Sequence, residues 1–166
     1  MWLGGIFDSE MSSKDDCKKE IKAVNARNEA QPSFMPTQIG QDCILHRFVA
    51  AHHYEPTEQS VSLVGLEVAR LSVYVEGSEF PSFDISEIFN DFRAQGVPFV
   101  AAFRFPARVL LDLNQYQFLH DPHPYTDEKT GEQKPQHPNH AQVICVKKAD
   151  VALVIKSSIL NWTIRP

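Results

Sequence analysis

Apolar and polar residues alternate along several short stretches of the chain, with the two-residue period of a β-strand that has one covered face. The clearest stretch is 69–75, where Leu71, Val73 and Val75 alternate with more polar neighbours. Other stretches are rich in the β-branched and aromatic residues that favour strands. Together these patterns predict strands at 43–49, 61–65, 69–75, 99–104 and 141–146.

Apolar residues recur at helical spacing elsewhere, most clearly at 84–95, where Ile85, Ile88, Phe89 and Phe92 fall on one face. Asp84 is a suitable N-cap for this helix, and Gly96 is a suitable residue to end it. Similar patterns predict helices at 107–113 and 149–161. The sequence therefore predicts an α+β fold, with a single mixed sheet and helices packed on it.

The first 41 residues differ from the rest of the chain. Residues 9–30 predict a helix with a thin apolar stripe formed by Cys17, Ile21 and Val24, and 31–41 read as a linker. We therefore divide the chain into an N-terminal helical arm and linker, 1–41, and an α+β globular domain, 42–166. The stripe is narrow for a core helix, so the arm either lies on the domain or contacts a partner. We expect a protein partner or a homo-oligomer contact through it.

Composition narrows the possible partners and compartments. The chain has 166 residues and a net charge of −5, which argues against nucleic acid and anionic membranes as partners. The apolar start, 1–7, lacks the basic residues of a secretory signal. Cys17, Cys43 and Cys145 are isolated and odd in number, which is typical of a reducing compartment. We expect a cytoplasmic protein.

Histidines form two pairs around a long polar loop. His120-x-x-His123 and His137-x-x-His140 bracket this loop, and Asp121 could add an oxygen ligand. Imidazole is the commonest metal ligand, so His120, His123, His137 and His140 are candidate ligands for a divalent metal. Prolines beside both pairs fit an exposed loop with uncoordinated histidines equally well. Apart from this metal, no cofactor is expected.

A second candidate site involves His46, Arg47 and His140. If the strands at 43–49 and 141–146 pair, these residues share one edge of the sheet. Arg47 would then hold an anionic group while a histidine exchanges a proton. The alternative for Arg47 is an internal ion pair, with Glu67, Glu76 or Asp112 as the carboxylate.

Three short segments carry a resemblance. Leu45-His46-Arg47, Leu71-Ser72-Val73-Tyr74 and Pro138-Asn139-His140-Ala141 occur in this order. In this the chain resembles, over about 43–162, a loosely defined group of small bacterial proteins of unassigned function. It departs from the group by lacking a phenylalanine after the serines at 60–62 and by its insertion at 124–137. The resemblance implies a bacterial or phage origin and no particular activity.

The chain lacks the usual catalytic motifs, since no G-x-G-x-x-G, Walker A or G-x-S-x-G sequence occurs. We therefore expect a non-enzymatic protein-interaction or assembly subunit of a bacterial or phage cytoplasmic system. The alternative is an enzyme or ligand-binding domain that uses His46, Arg47 and His140, with or without a metal.

Overall fold

The fold was analysed in a computed structural model that describes residues 14–30, 39–66, 70–111, 117–127, 129–144 and 148–165. The helices are α1 (Lys14–Glu29), α2 (Ile85–Ala94), α3 (Arg108–Leu111) and α4 (Lys148–Ser157). The strands are β1 (Ile44–Ala50), β2 (Tyr54–Glu55), β3 (Ser60–Val61), β4 (Arg70–Glu76), β5 (Phe99–Pro106), β6 (Gln117–His120), β7 (Tyr125–Thr126), β8 (Gln133–Lys134), β9 (His140–Ile144) and β10 (Asn161–Ile164). The predicted α+β class is confirmed.

Six strands form one sheet in the order β10-β5-β1-β4-β9-β6, and all five of its pairings are antiparallel. The pairs β2–β3 and β7–β8 form two small separate ribbons. β4 lies between β1 and β9, so the strands predicted at 43–49 and 141–146 are not neighbours. The second candidate site required those two strands to pair, and the structure does not show this pairing.

One face of the sheet carries the larger core. Leu45, Val73, Phe103 and Val143 lie on this face, each with no exposed surface. α3 and α4 cover the face with buried apolar side chains that include Ile155. This layer holds most of the apolar area that stabilises the fold.

The opposite face is covered by two different helices. Over β1 and β4, α2 packs Ile88 and Phe89 against Phe48 and Tyr74. Asp84 begins α2 as predicted, since its side chain accepts a hydrogen bond from the Ser86 amide at 2.9 Å. Gly96, with φ +75°, follows its end.

α1 covers the remaining part of that second face, against β6 and β9. Its predicted stripe is correct, because Cys17 and Val24 are buried against Ile144 and Ile21 is partly buried beside them. The stripe is therefore covered by strands of the same chain. Residues 1–13 and 31–38, the rest of the predicted arm and linker, lie outside the described residues.

Two predicted elements differ from the structure. In place of a strand at 61–65, β3 ends at Val61 and a 3₁₀ turn follows, because the Ser62 hydroxyl accepts the Gly65 amide. Gly65 is needed there, since a Cβ would lie 2.9 Å from the His53 side chain. The helix predicted at 149–161 ends at Ser157, and Trp162 lies instead in the edge strand β10.

The cysteines also differ from expectation. Cys17 takes part in a disulfide bond, whereas Cys43 is a buried free thiol. The interpretation of all three cysteines as reduced thiols is therefore wrong for Cys17. No helix among the described residues combines the length and apolar character that crossing a bilayer requires.

Candidate functional site

An open groove of about 760 Å³ lies across the neighbouring strands β10, β5, β1 and β4 and beside the segment that links β4 to α2. Both polar and aromatic side chains line it. The lining residues are Asp42, Ile44, His46, Glu76, Gly77, Ser78, Phe80, Pro81, Ser82, Phe83, Asp84, Ile85, Arg104, Asn161 and Thr163. A concave surface with a few convergent polar groups is the usual form of a small-molecule site.

The sheet register places the polar lining groups in a row. Asn161 pairs with Arg104, Arg104 with His46, His46 with Tyr74, and Tyr74 with His140. Directly opposite residues in antiparallel strands lie on the same face, so this cross-strand row runs over five strands on the α2 side. Its first three members line the groove.

His46 is buried, and its Nε2 lies 2.7 Å from Oε2 of Glu76. Because a carboxylate oxygen only accepts hydrogen bonds, Nε2 carries the ring proton and Nδ1 is left as an acceptor. Nδ1 has no hydrogen-bond partner among the described residues. Burial lowers the pKa of His46 below its usual range, although the hydrogen bond to Glu76 opposes this effect. The neutral imidazole is thereby favoured.

Arg104 connects this pair to β10. Its Nη2 lies 3.5 Å from Glu76, and its Nη1 lies 3.3 Å from Oδ1 of Asn161. The Nε of Arg104 is buried and has no hydrogen-bond partner among the described residues. The groove thus presents a half-exposed carboxylate, and the two unpaired nitrogens, Nδ1 of His46 and Nε of Arg104, are buried beside it.

Arg47 does not belong to this site. Adjacent residues of a strand point to opposite faces, so Arg47 lies on the other side of the sheet from His46. Its Nη1 donates to the carbonyl oxygen of Ser72 at 3.0 Å. His46 and Arg47, predicted to act together, are therefore not brought into one site. Three carboxylates were considered as partners of Arg47. Glu76 contacts His46 and Arg104. Glu67 and Asp112 lie outside the described residues.

His140 is separated from His46 by Tyr74, roughly 10 Å across two strand spacings. Its Nδ1 lies 2.9 Å from the carbonyl oxygen of Asp121, and its Nε2 lies 3.1 Å from the Ser72 hydroxyl. His140 therefore belongs to a second polar cluster, beneath α1, and not to the groove.

The histidines expected to bind a metal have other contacts. Nε2 of His120 lies 2.7 Å from the carbonyl oxygen of Pro138, and Nδ1 of His137 accepts the Asn139 amide at 3.1 Å. The predicted ligand set was His120, His123, His137 and His140. Over the described part of the chain, no three His, Cys, Asp or Glu side chains are grouped so as to hold a metal ion. A metal site at these histidines, the less favoured of the two sequence interpretations, stays a prediction.

Sequence reasoning did not find Arg104 and Asn161, and it considered Glu76 only as a partner for Arg47. Arg104 is a charged residue inside an otherwise apolar strand, and this was the one local signal for it. The other two residues carry no local signal, because they become part of the site only through strand order and register.

Searches against protein-family models, curated proteins and solved structures found no match to this chain. The class of protein is therefore given by its own geometry, an α+β domain with an antiparallel sheet and a polar groove across four of its strands.

Proposed function

We propose that this protein is a ligand-binding domain whose groove takes a small polar molecule at His46, Glu76 and Arg104. The observation that carries the proposal is the 2.7 Å hydrogen bond between buried His46 and half-exposed Glu76 at the side of an open groove. It modifies the ligand-binding alternative raised by the sequence, with Glu76 and Arg104 in place of Arg47 and His140.

The charges of the groove favour one kind of ligand. Asp42, Glu76 and Asp84 contribute three carboxylates, against the single guanidinium of Arg104. Phe83 lies beside His46 with ring centroids 5.1 Å apart and adds an aromatic surface. A neutral or positively charged molecule with several hydrogen-bonding groups fits this lining better than a polyanion, because carboxylates repel anions and aromatic rings attract cations.

The proposal is tested by titrating ¹⁵N-labelled protein with three probes and recording amide chemical shifts. Agmatine represents a cationic ligand, glucose a neutral polyhydroxylated ligand, and citrate an anionic one. We expect agmatine or glucose to shift amides of the groove, and Glu76→Gln to weaken that binding about tenfold, as loss of one charged hydrogen bond implies. Glu55→Gln, at an exposed position in β2, is the matched control.

Three outcomes of this titration would contradict the proposal. Citrate as the only binder, or shifts confined to residues outside the groove, would contradict the ligand class or the site. Millimolar probes that leave every groove amide unshifted would contradict the binding function itself.

The non-enzymatic assembly subunit, with its partner or oligomer contact through the N-terminal arm, stays a prediction. The same holds for the bacterial or phage origin. For the compartment, the disulfide at Cys17 favours an oxidising environment over the predicted cytoplasmic one. Light scattering of the full chain across a tenfold concentration range measures any self-association directly.

A further inference from the structure

A serine, a histidine and an aspartate meet beneath α1, away from the groove. Ser72 lies in β4 directly opposite Gln142 of β9, and His140 lies two residues before Gln142. The side chains of Ser72, His140 and Gln142 are therefore on the same face of the sheet. Oγ of Ser72 lies 3.1 Å from Nε2 of His140. Asp121 follows β6 directly and completes the cluster.

The contacts of His140 define which ring nitrogen carries its proton. Nδ1 lies 2.9 Å from the carbonyl oxygen of Asp121, which can only accept. Nδ1 is therefore the donor, and Nε2, when it carries no proton, is the acceptor that faces the Ser72 hydroxyl. A hydroxyl within reach of an acceptor nitrogen, whose ring is oriented by a third group, is the arrangement of an activated nucleophile.

The Asp121 carboxylate is held beside the same imidazole. Its Oδ2 lies 3.7 Å from Nδ1 of His140 and accepts a 2.6 Å hydrogen bond from Nε2 of Gln142. Arg27 of α1 binds both of its oxygens at 3.1 Å. With only 2% of its surface exposed, the carboxylate has one orientation, and its charge stabilises an imidazolium formed at His140.

One further atom of the cluster lacks a partner. The Oε1 atom of Gln142 is buried and accepts no hydrogen bond among the described residues, although Gln142 lies directly opposite Ser72. A buried acceptor without a donor is unfavourable, and a bound molecule or water would satisfy it. Ser72 itself is partly exposed. The cluster therefore combines a partly exposed serine with a buried acceptor that no described residue satisfies.

We propose that Ser72 is a nucleophile activated by His140 and that it accepts the acyl group of a small carboxylic ester. Oγ bonds to the carbonyl carbon while its proton passes to Nε2 of His140. The bond from that carbon to the ester oxygen breaks, and the alcohol leaves with the proton from His140. Water, deprotonated by His140, then attacks the acyl-serine, which releases the acid and restores the Ser72 hydroxyl. The ester's small size follows from the partial burial of Ser72.

The experiment treats the full chain with a fluorophosphonate probe, which forms an Oγ–P bond and releases fluoride, and maps the label by peptide mass spectrometry. Hydrolysis of p-nitrophenyl acetate is followed in parallel. We expect label on Ser72, no label or hydrolysis in Ser72→Ala, and labelling about 100-fold slower in His140→Gln, the range for loss of a general base.

Ser62→Ala is the matched control. Ser62 also lies close to a histidine, with Oγ 3.2 Å from Nδ1 of His53, but its hydroxyl already accepts the Gly65 amide. Labelling should therefore survive Ser62→Ala. Circular dichroism identifies any variant that fails to fold, and Ser72→Ala, which removes one oxygen, then decides the outcome. Absence of label on Ser72 of the folded protein, or label that persists in Ser72→Ala, would overturn the proposal and leave the Ser72–His140 hydrogen bond a structural contact only.

Discussion

Asp121 is a charged residue with almost no exposed surface. A carboxylate with 2% exposure loses nearly all of its hydration, and burial of a charge is unfavourable unless partners replace the lost water. Arg27 supplies two hydrogen bonds and Gln142 a third. Because Arg27 lies in α1, the attachment of that helix and the state of this carboxylate depend on each other.

Replacing Arg27 by alanine should therefore destabilise the protein by about 3 kcal/mol, since removal of one partner leaves the other charge buried and unpaired. Lys22→Ala, at an exposed position of the same helix, should change stability by less than about 0.5 kcal/mol. Urea denaturation followed by tryptophan fluorescence measures both free energies of unfolding. Equal effects of the two substitutions would mean that Asp121 is hydrated and that α1 is not held through it.

At the scale of elements, the local sequence pattern predicts the type and bounds of some segments only. β4 and α2 were predicted within a residue or two, because alternation and the Asp84 cap are properties of the segments themselves. The predicted helix 149–161 is too long and extends into β10, because Trp162 continues the apolar spacing of α4. In the structure the Trp162 ring packs on Phe103 at 5.0 Å, a contact that only the folded sheet provides.

Phe103 joins these elements, since it lies in β5 beside the edge strand and faces the core under α3 and α4. Phe103→Ala should cost on the order of 3–5 kcal/mol, the range for a buried phenylalanine truncated in a core that collapses only partly. Val64→Ala, at an exposed position, should be nearly neutral. Calorimetry gives both values, and a loss below about 1 kcal/mol for Phe103→Ala would mean that β5 and β10 are not packed as described.

At the scale of the whole molecule, strand order determined which predicted residues could act together. His46 and His140 are predicted from the sequence to act in one site, yet β4 lies between their strands and they belong to two clusters. The sequence contains no local signal for that separation, because it depends on which strands pair over a distance. Strand pairing also explains why Arg104 lies in the groove, since it is directly opposite His46 in the neighbouring strand.

Buried histidines also set how the stability of the whole molecule depends on pH. The pKa values of His46, His120 and His137 all lie below the ordinary value of 6.5, and burial is the largest cause in each case. As pH falls through 6.5, the unfolded chain takes up protons that the folded protein does not. The free energy of unfolding therefore decreases between about pH 7.5 and the lowered pKa values, and the loss is complete below them.

Urea midpoints measured at pH 7.5, 6.5 and 5.5 should therefore fall steadily with acidification. His137→Gln should flatten this slope, because glutamine does not titrate and the pKa of His137 is lowered in spite of the nearby charges of Asp91 and Glu87. The readout is the slope and not the midpoint itself, so a general loss of stability in the variant does not affect the comparison. Asn90→Gln, at an exposed position without a titratable group, should leave the slope close to that of the unmodified protein. Midpoints that stay constant or rise on acidification would show that these histidines gain protons on folding, in conflict with their burial.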